Sequence, residues 1–178
     1  MMRLSGEDAG FLYMDLPGQP MNTMAVGVLA PTDGAPVTLD DLASHLEDRL
    51  DQLPSFRWRM VRVPLRLHHP VMVDDPDFDL AFHLRHERVA APGDPAALNA
   101  LFARIAERHL DQRHPLWQAT LVDGLEGGRQ AVILKYQHCL ADGVAAYTIF
   151  SRVFSDEVRA PIPGAGPFAP APLPGRVR

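Results

Sequence analysis

The sequence predicts an α+β domain, a mixed β-sheet with helices packed on it. Residues 130–136 run almost wholly apolar between turn signals, as a central strand does. Leu39, Leu42, Leu46, Leu50 and Leu53 recur at helical spacing, so helices lie among the strands. Short turns, among them Asp123-Gly124 to Gly127-Gly128, favour hairpins over an unbroken βαβ wind.

Residues 21–30 are small, β-branched or apolar and end in the turn chemistry of Pro31-Thr32-Asp33-Gly34, which predicts a first strand. Thr38 is a candidate N-cap, Asp40 and Asp41 suit the first turn, and Pro54 stops the helix that carries the leucine stripe. Residues 58–63 alternate apolar and basic as a half-exposed strand, and 71–73 form a short strand closed by Asp74-Asp75-Pro76. Residues 80–89 alternate again, with Leu80, Phe82, Leu84 and His86 on one face and His83, Arg85 and Glu87 on the other. Pro92-Gly93-Asp94-Pro95 opens a second helix whose stripe is Leu98, Leu101, Phe102, Ile105 and Leu110. A strand over 116–122 precedes the loop that leads into 130–136. A third helix over 143–154 presents Val144, Tyr147, Phe150, Ser151 and Phe154 along one side. Proline, glycine and alanine then dominate, so 1–158 reads as the folded unit and 159–178 as a Pro/Gly-rich linker or disordered tail.

With 178 residues, of which 47% are hydrophobic and 22% charged, the chain is long enough for one ordinary core. A net charge of −5 argues against nucleic acid as a partner. The single cysteine, Cys139, allows no internal disulfide and fits a reducing compartment. The first residues turn acidic before any useful apolar run, and no run nears the ~20 residues of a membrane span. The expected location is cytoplasmic, with a lipid substrate able to draw the chain to a membrane or lipid-droplet surface.

Chemistry concentrates in Tyr136-Gln137-His138-Cys139-Leu140-Ala141-Asp142-Gly143. His138 follows the apolar strand directly and precedes the third helix by a few residues. An imidazole held between rigid elements, with a pKa near neutrality, suits a general base. Asp142 can cap the helix or hold an arginine, and Gly143 permits a sharp turn. Other candidates weigh less. His68-His69 and His83-x-x-His86 lack acidic or cysteine partners at ligand spacing, so no metal site is expected. Arg57, Arg59, Arg62 and Arg66 read as a solvated strand edge, Cys139 as a small apolar residue, and Phe11 and Trp117 as core.

The segment resembles the His-His-x-x-x-Asp-Gly motif of the chloramphenicol acetyltransferase and condensation-domain superfamily, with Gln137 in place of the first His. The flanks look like the wax ester synthase/diacylglycerol acyltransferase family. They include Leu4-Ser5-x-x-Asp8-Ala9-x-Phe11-Leu12, Leu53-Pro54-x-Phe56-Arg57-x-Arg59 and the run from Val73 to Leu80. A further match is Pro115-Leu116-Trp117-x-x-x-Leu121-Val122-x-Gly124-Leu125-x-Gly127-Gly128-Arg129, so the resemblance extends over residues 3–155.

The resemblance implies one half of a two-domain chloramphenicol acetyltransferase-like fold. It implies an O-acyltransferase in which His138 deprotonates diacylglycerol or a fatty alcohol for attack on an acyl-CoA thioester, then protonates the leaving thiolate. Asp142, Gly143 and Gln137 are carried over as residues that shape the motif loop. No bound cofactor is implied; acyl-CoA is a co-substrate. The family has a second domain of similar size, so a separately encoded C-terminal half or a homodimer is the expected partner, without which activity is expected to be negligible. The alternative is a non-catalytic acyl-binding or interaction module; carrier-protein condensation chemistry is the weaker rival.

Overall fold

The computed structural model describes residues 2–30, 35–141, 143–155, 168–170 and 173. Two sheets share the main hydrophobic core. The larger has the order β2 (Asn22–Leu29), β7 (Gln130–Gln137), β6 (Trp117–Asp123), β5 (Leu84–Arg88). β7 runs antiparallel to both neighbours and β5 runs parallel to β6, so the sheet is mixed, as the sequence predicts. The smaller sheet orders β1 (Met2–Arg3), β4 (Val71–Asp74) and β3 (Trp58–Val61), all antiparallel.

β7 is buried along its whole length, which its apolar run dictates. Its alternate residues face two cores. Val132, Leu134 and Tyr136 join Leu121 and Ala119 in the larger core, into which Ile149 and Val153 of α5 (Gly143–Val153) pack. Ala131 and Ile133 face Leu101 and Ile105 of α4 (Pro95–Ala106) on the other side. α4 is the crossover between the parallel pair β5 and β6, the one βαβ unit of the sheet. It starts at an Asp94 cap with Pro95 in its first turn; the turn before it needs Gly93, at φ 75°, because a Cβ there would strike the carbonyl of Gly124.

α2 (Leu39–Glu47) begins with the predicted Thr38 cap, reinforced by Asp41 bonding back to the Thr38 backbone. The helix ends before the leucine stripe does. Leu50 and Leu53 are still buried, but Leu50 opens a 3-10 turn, Leu50–Gln52, and Leu53 joins it to a second, Pro54–Arg57, rather than continuing the α-helix.

Three expectations are corrected. Residues 80–83 do not extend the strand: they form α3 (Leu80–His83), with the Asp79 side chain accepting from Ala81 N at 3.0 Å. That turn drives His83 inward against Trp117, so His83 is buried and His86 exposed, the reverse of the predicted faces. Part of the stripe assigned to α5 faces out: Tyr147 is 73% exposed and Phe150 42%, while Phe154, Ile149 and Val153 pack inward. Finally, a helix stands where none was predicted: α1 (Gly6–Met14), started by Ser5 accepting from Asp8 N at 3.0 Å. The predicted turn at Pro31–Gly34 and most of the predicted tail lie outside the described residues. Within the tail, Phe168 lies over Arg57 and Ala169 N donates to Asp74.

Candidate active site

His138 begins a 3-10 turn, His138–Leu140, where β7 ends. Three hydrogen bonds fix the backbone there: Gln137 N donates to Leu116 O at 2.9 Å, His138 N to Met21 O at 2.9 Å, and Ala141 N to His138 O at 3.3 Å. The Gln137 side chain adds a fourth. Its Oε1 accepts from Cys139 N, which settles the amide orientation and leaves a buried Nε2 without a hydrogen-bond partner among the described residues. Gln137 thus braces the turn from inside, 1% exposed. Asp142 lies outside the described residues; Gly143 is the first residue of α5.

The His138 ring is half-buried and stacks on Phe11 of α1, with centroids 3.8 Å apart and an interplanar angle of 23°. The stack fixes the plane of the ring without consuming either nitrogen. Nδ1 is buried and has no hydrogen-bond partner among the described residues. Among the described residues no main-chain group ties the imidazole down. Sequence reasoning missed Phe11 as a neighbour of the site, reading it as core.

Cys139 is buried, and burial pushes its thiol up to about 12, the behaviour of a small apolar residue. Cys139, Leu140 and Ala141 form part of the wall of a cavity of about 660 Å³ that Leu53, Trp58 and Ile149 also line. The polar members of that wall include Gln52 and Arg152, bonded to each other at 3.0 Å. His138 itself does not line the cavity; the space opens against the three residues that follow it. Among the described residues no group of three or more His, Cys, Asp or Glu is placed to hold a metal ion, and no helix is long and apolar enough to cross a membrane.

The model of the wax ester synthase/diacylglycerol acyltransferase catalytic domain matches residues 4–176. A putative diacylglycerol O-acyltransferase of Mycobacterium tuberculosis is 39% identical over 176 residues, covering 98% of this chain and 37% of that protein. A probable diacylglycerol O-acyltransferase of the same organism is 38% identical over 160 residues, 89% of this chain and 58% of that protein. Among solved structures, a wax ester synthase/diacylglycerol acyltransferase from Marinobacter aquaeolei VT8 superposes with a TM-score of 0.68 at 30% identity, over 85% of this chain and 38% of that one. The starter condensation domain of rhizomide synthetase, solved with C8-CoA and Leu-SNAC, shares the fold at 18% identity and a TM-score of 0.64, over 85% of this chain and 34% of that one. The chain spans little more than a third of the length of the first of these relatives. On this evidence the chain belongs to the wax ester synthase/diacylglycerol acyltransferase family.

Proposed function

We propose that the chain supplies the general base of an acyl-CoA-dependent O-acyltransferase acting on diacylglycerol or a fatty alcohol. The observation that carries this reading is the His138 ring, held flat by Phe11 on a turn braced by Gln137, with no ring nitrogen spent on the main chain of the described residues. Because Nδ1 is the buried nitrogen, Nε2 is the one to take the hydroxyl proton as the alkoxide attacks the thioester carbonyl, and to return it to the departing CoA thiolate. Asp142 and Gly143 shape the loop and touch no reacting atom. The cavity beside the motif, apolar for most of its wall and within the ~300–1,000 Å³ of ligand sites, takes the acyl chain. Residues 1–158 form the catalytic half and 159–178 a Pro/Gly-rich linker or tail. Both the first relative and the Marinobacter enzyme are much longer, which supports a requirement for a second polypeptide region. The working location is cytoplasmic.

The test is transfer from a long-chain acyl-CoA to diacylglycerol, measured with the chain alone and with the C-terminal region of a close relative added. Transfer is expected only with both, and His138→Ala is expected to lower it by about 10³-fold or more. Undiminished transfer by the variant overturns the assignment of the base. The second reading, a non-catalytic acyl-binding module, draws on Gln137 in the first motif position and on the cavity; acyl-CoA binding with no transfer under either condition favours it.

A further inference from the structure

Between Asp51 and Asp74 the sequence holds no acidic residue but carries Arg57, Arg59, Arg62 and Arg66 with His68 and His69, in a chain of net charge −5. The first two arginines are engaged with Asp51, and with Asp75 and Asp77. Arg62, whose guanidinium donates to Gln112 Oε1 at 2.7 Å, stands with the histidines where the chain leaves β3 and turns toward β4. There the apolar side chains point outward: Leu65 is 89% exposed and Leu67 71%. Leu65 also sits at φ 54°, a left-handed conformation that a residue with a Cβ adopts only at a cost. Both terms, the strain and the apolar exposure, are unfavourable in water. Beside this tip, the end of α1 and the turn after it expose Tyr13 (52%), Met14 (45%) and Leu16 (54%). The Tyr13 hydroxyl bonds His69 Nδ1 at 3.0 Å, and Tyr13, Arg62, Val63, His68 and Pro70 line a cleft of about 260 Å³ between helix and loop.

We propose that this surface docks on an anionic phospholipid bilayer, with Leu65 and Leu67 entering the acyl region and the Tyr13–Arg62–His68 cleft receiving a lipid phosphate. Apolar side chains backed by cations are what interfacial binding requires: burial supplies part of the affinity and attraction to anionic headgroups the rest. Arginine and hydroxyl donors suit phosphate oxygens. The leucines stand almost wholly in solvent, a placement that suits entry into a fluid layer. α1 links the two places, since Phe11 stacks on His138 and Tyr13 bonds the loop, so docking would bring the bilayer within one helix of His138. The proposal stands on this surface and not on transfer chemistry.

Sedimentation of the whole chain with phosphatidylcholine vesicles, pure or containing about one-third phosphatidylglycerol, tests it. The chain is expected to pellet with the anionic vesicles at least several-fold more than with the neutral ones. Leu65→Asp with Leu67→Asp is expected to cut that binding about tenfold or more, and Arg62→Glu about fivefold. Tyr147→Asp, on the exposed side of α5, is expected to leave it unchanged. Far-UV circular dichroism checks that each variant folds. Absence of pelleting, or equal pelleting by the loop variants, overturns the proposal. So does a loop variant that loses only self-association, which would assign the tip to a second copy of the chain.

Discussion

α4 and α5 flank the same strand, one on each face of β7, and they are anchored in different ways. α4 is tied at both ends by residues with no part in chemistry. Asp94 accepts from Ala97 N at 2.8 Å at its start, and the buried Lys135 ammonium reaches from β7 to the carbonyls of Ile105 and Arg108 at its end. α5 is held at its C-terminal end by α2 and the turn after it, where His45 Nε2 donates to Val153 O at 2.8 Å and Arg49 to Ser155 O at 2.8 Å. Its N-terminus issues from the motif loop itself, at Gly143. One helix is scaffold throughout; the other is scaffold at one end and site at the other. The cavity lies on the α5 side, where Ala145 and Ile149 contribute to its wall. The difference shows how the His138 turn is kept rigid from behind while space for a ligand remains in front.

The largest effect should come from removing the α4 anchor. Lys135 is 2% exposed, and burial together with Arg108 pushes its ammonium down to about 8, while Asp15 opposes the shift, so it remains mostly charged at neutral pH. Lys135→Ala removes the ammonium from two carbonyls, leaving them the longer bonds from Arg108 N and Asn22 Nδ2 at 3.3 Å, and opens a void in the core. A stability loss of about 3 kcal/mol or more is expected in urea unfolding. A loss under about 1 kcal/mol would mean that α4 does not depend on this anchor, and the contrast with α5 would collapse.

A pH effect of similar size should come from the sheet edge where β5 meets β6. His83 stacks on Trp117 at 4.4 Å and 7°, and its Nδ1 donates to Trp117 O at 2.9 Å, which leaves Nε2 buried without a partner among the described residues. Burial, the leading cause, pushes its pKa down to about 4. The unfolded chain takes up this proton near pH 6.5 and the folded chain near 4, so between those values the unfolded state binds more protons. Stability is therefore full above about 6.5 and falls on acidification, by about 3 kcal/mol at pH 4 from this one group. Thermal unfolding across that window should show the slope in the parent chain and a flatter one in His83→Gln. An unchanged slope would assign the acid sensitivity elsewhere.

The anchors and the site were not equally visible in the sequence. β7, the caps of α2 and α4 and the motif turn were legible because each rests on local chemistry: an unbroken apolar run, Thr38 with Asp41, Asp94 before Pro95, His138 directly after the strand. What stayed hidden depends on distant partners. Alternation over 80–89 could not show that Asp79 would cap a turn and send His83 into an aromatic stack. The bulky residues of α5 suggested a buried stripe, yet Ile149 and Val153 fit against the sheet while Tyr147 stands in solvent. α1 had a signal, Ser5 with Asp8 three residues on, that only needed to be read as a cap. Its contact with His138 had none, since 127 positions of chain separate Phe11 from the ring it covers.

That contact carries the smallest predicted effect and the most informative one. If Phe11 only fills space, Phe11→Ala costs about 1–2 kcal/mol of stability and leaves transfer per folded molecule unchanged. If it positions the imidazole, a ring freed to rotate spends less time with Nε2 toward the acceptor. Transfer measured with the C-terminal region present should then fall about tenfold in kcat, with KM for acyl-CoA nearly constant, because the ring meets the reacting hydroxyl and not the bulk of the thioester. Phe11→Tyr, which keeps the flat face, should restore kcat where Phe11→Leu, similar in hydrophobicity but without a ring, does not. A KM effect shared by all three variants would instead place Phe11 in the wall of a substrate passage, and the base would owe its orientation to the Gln137 brace alone.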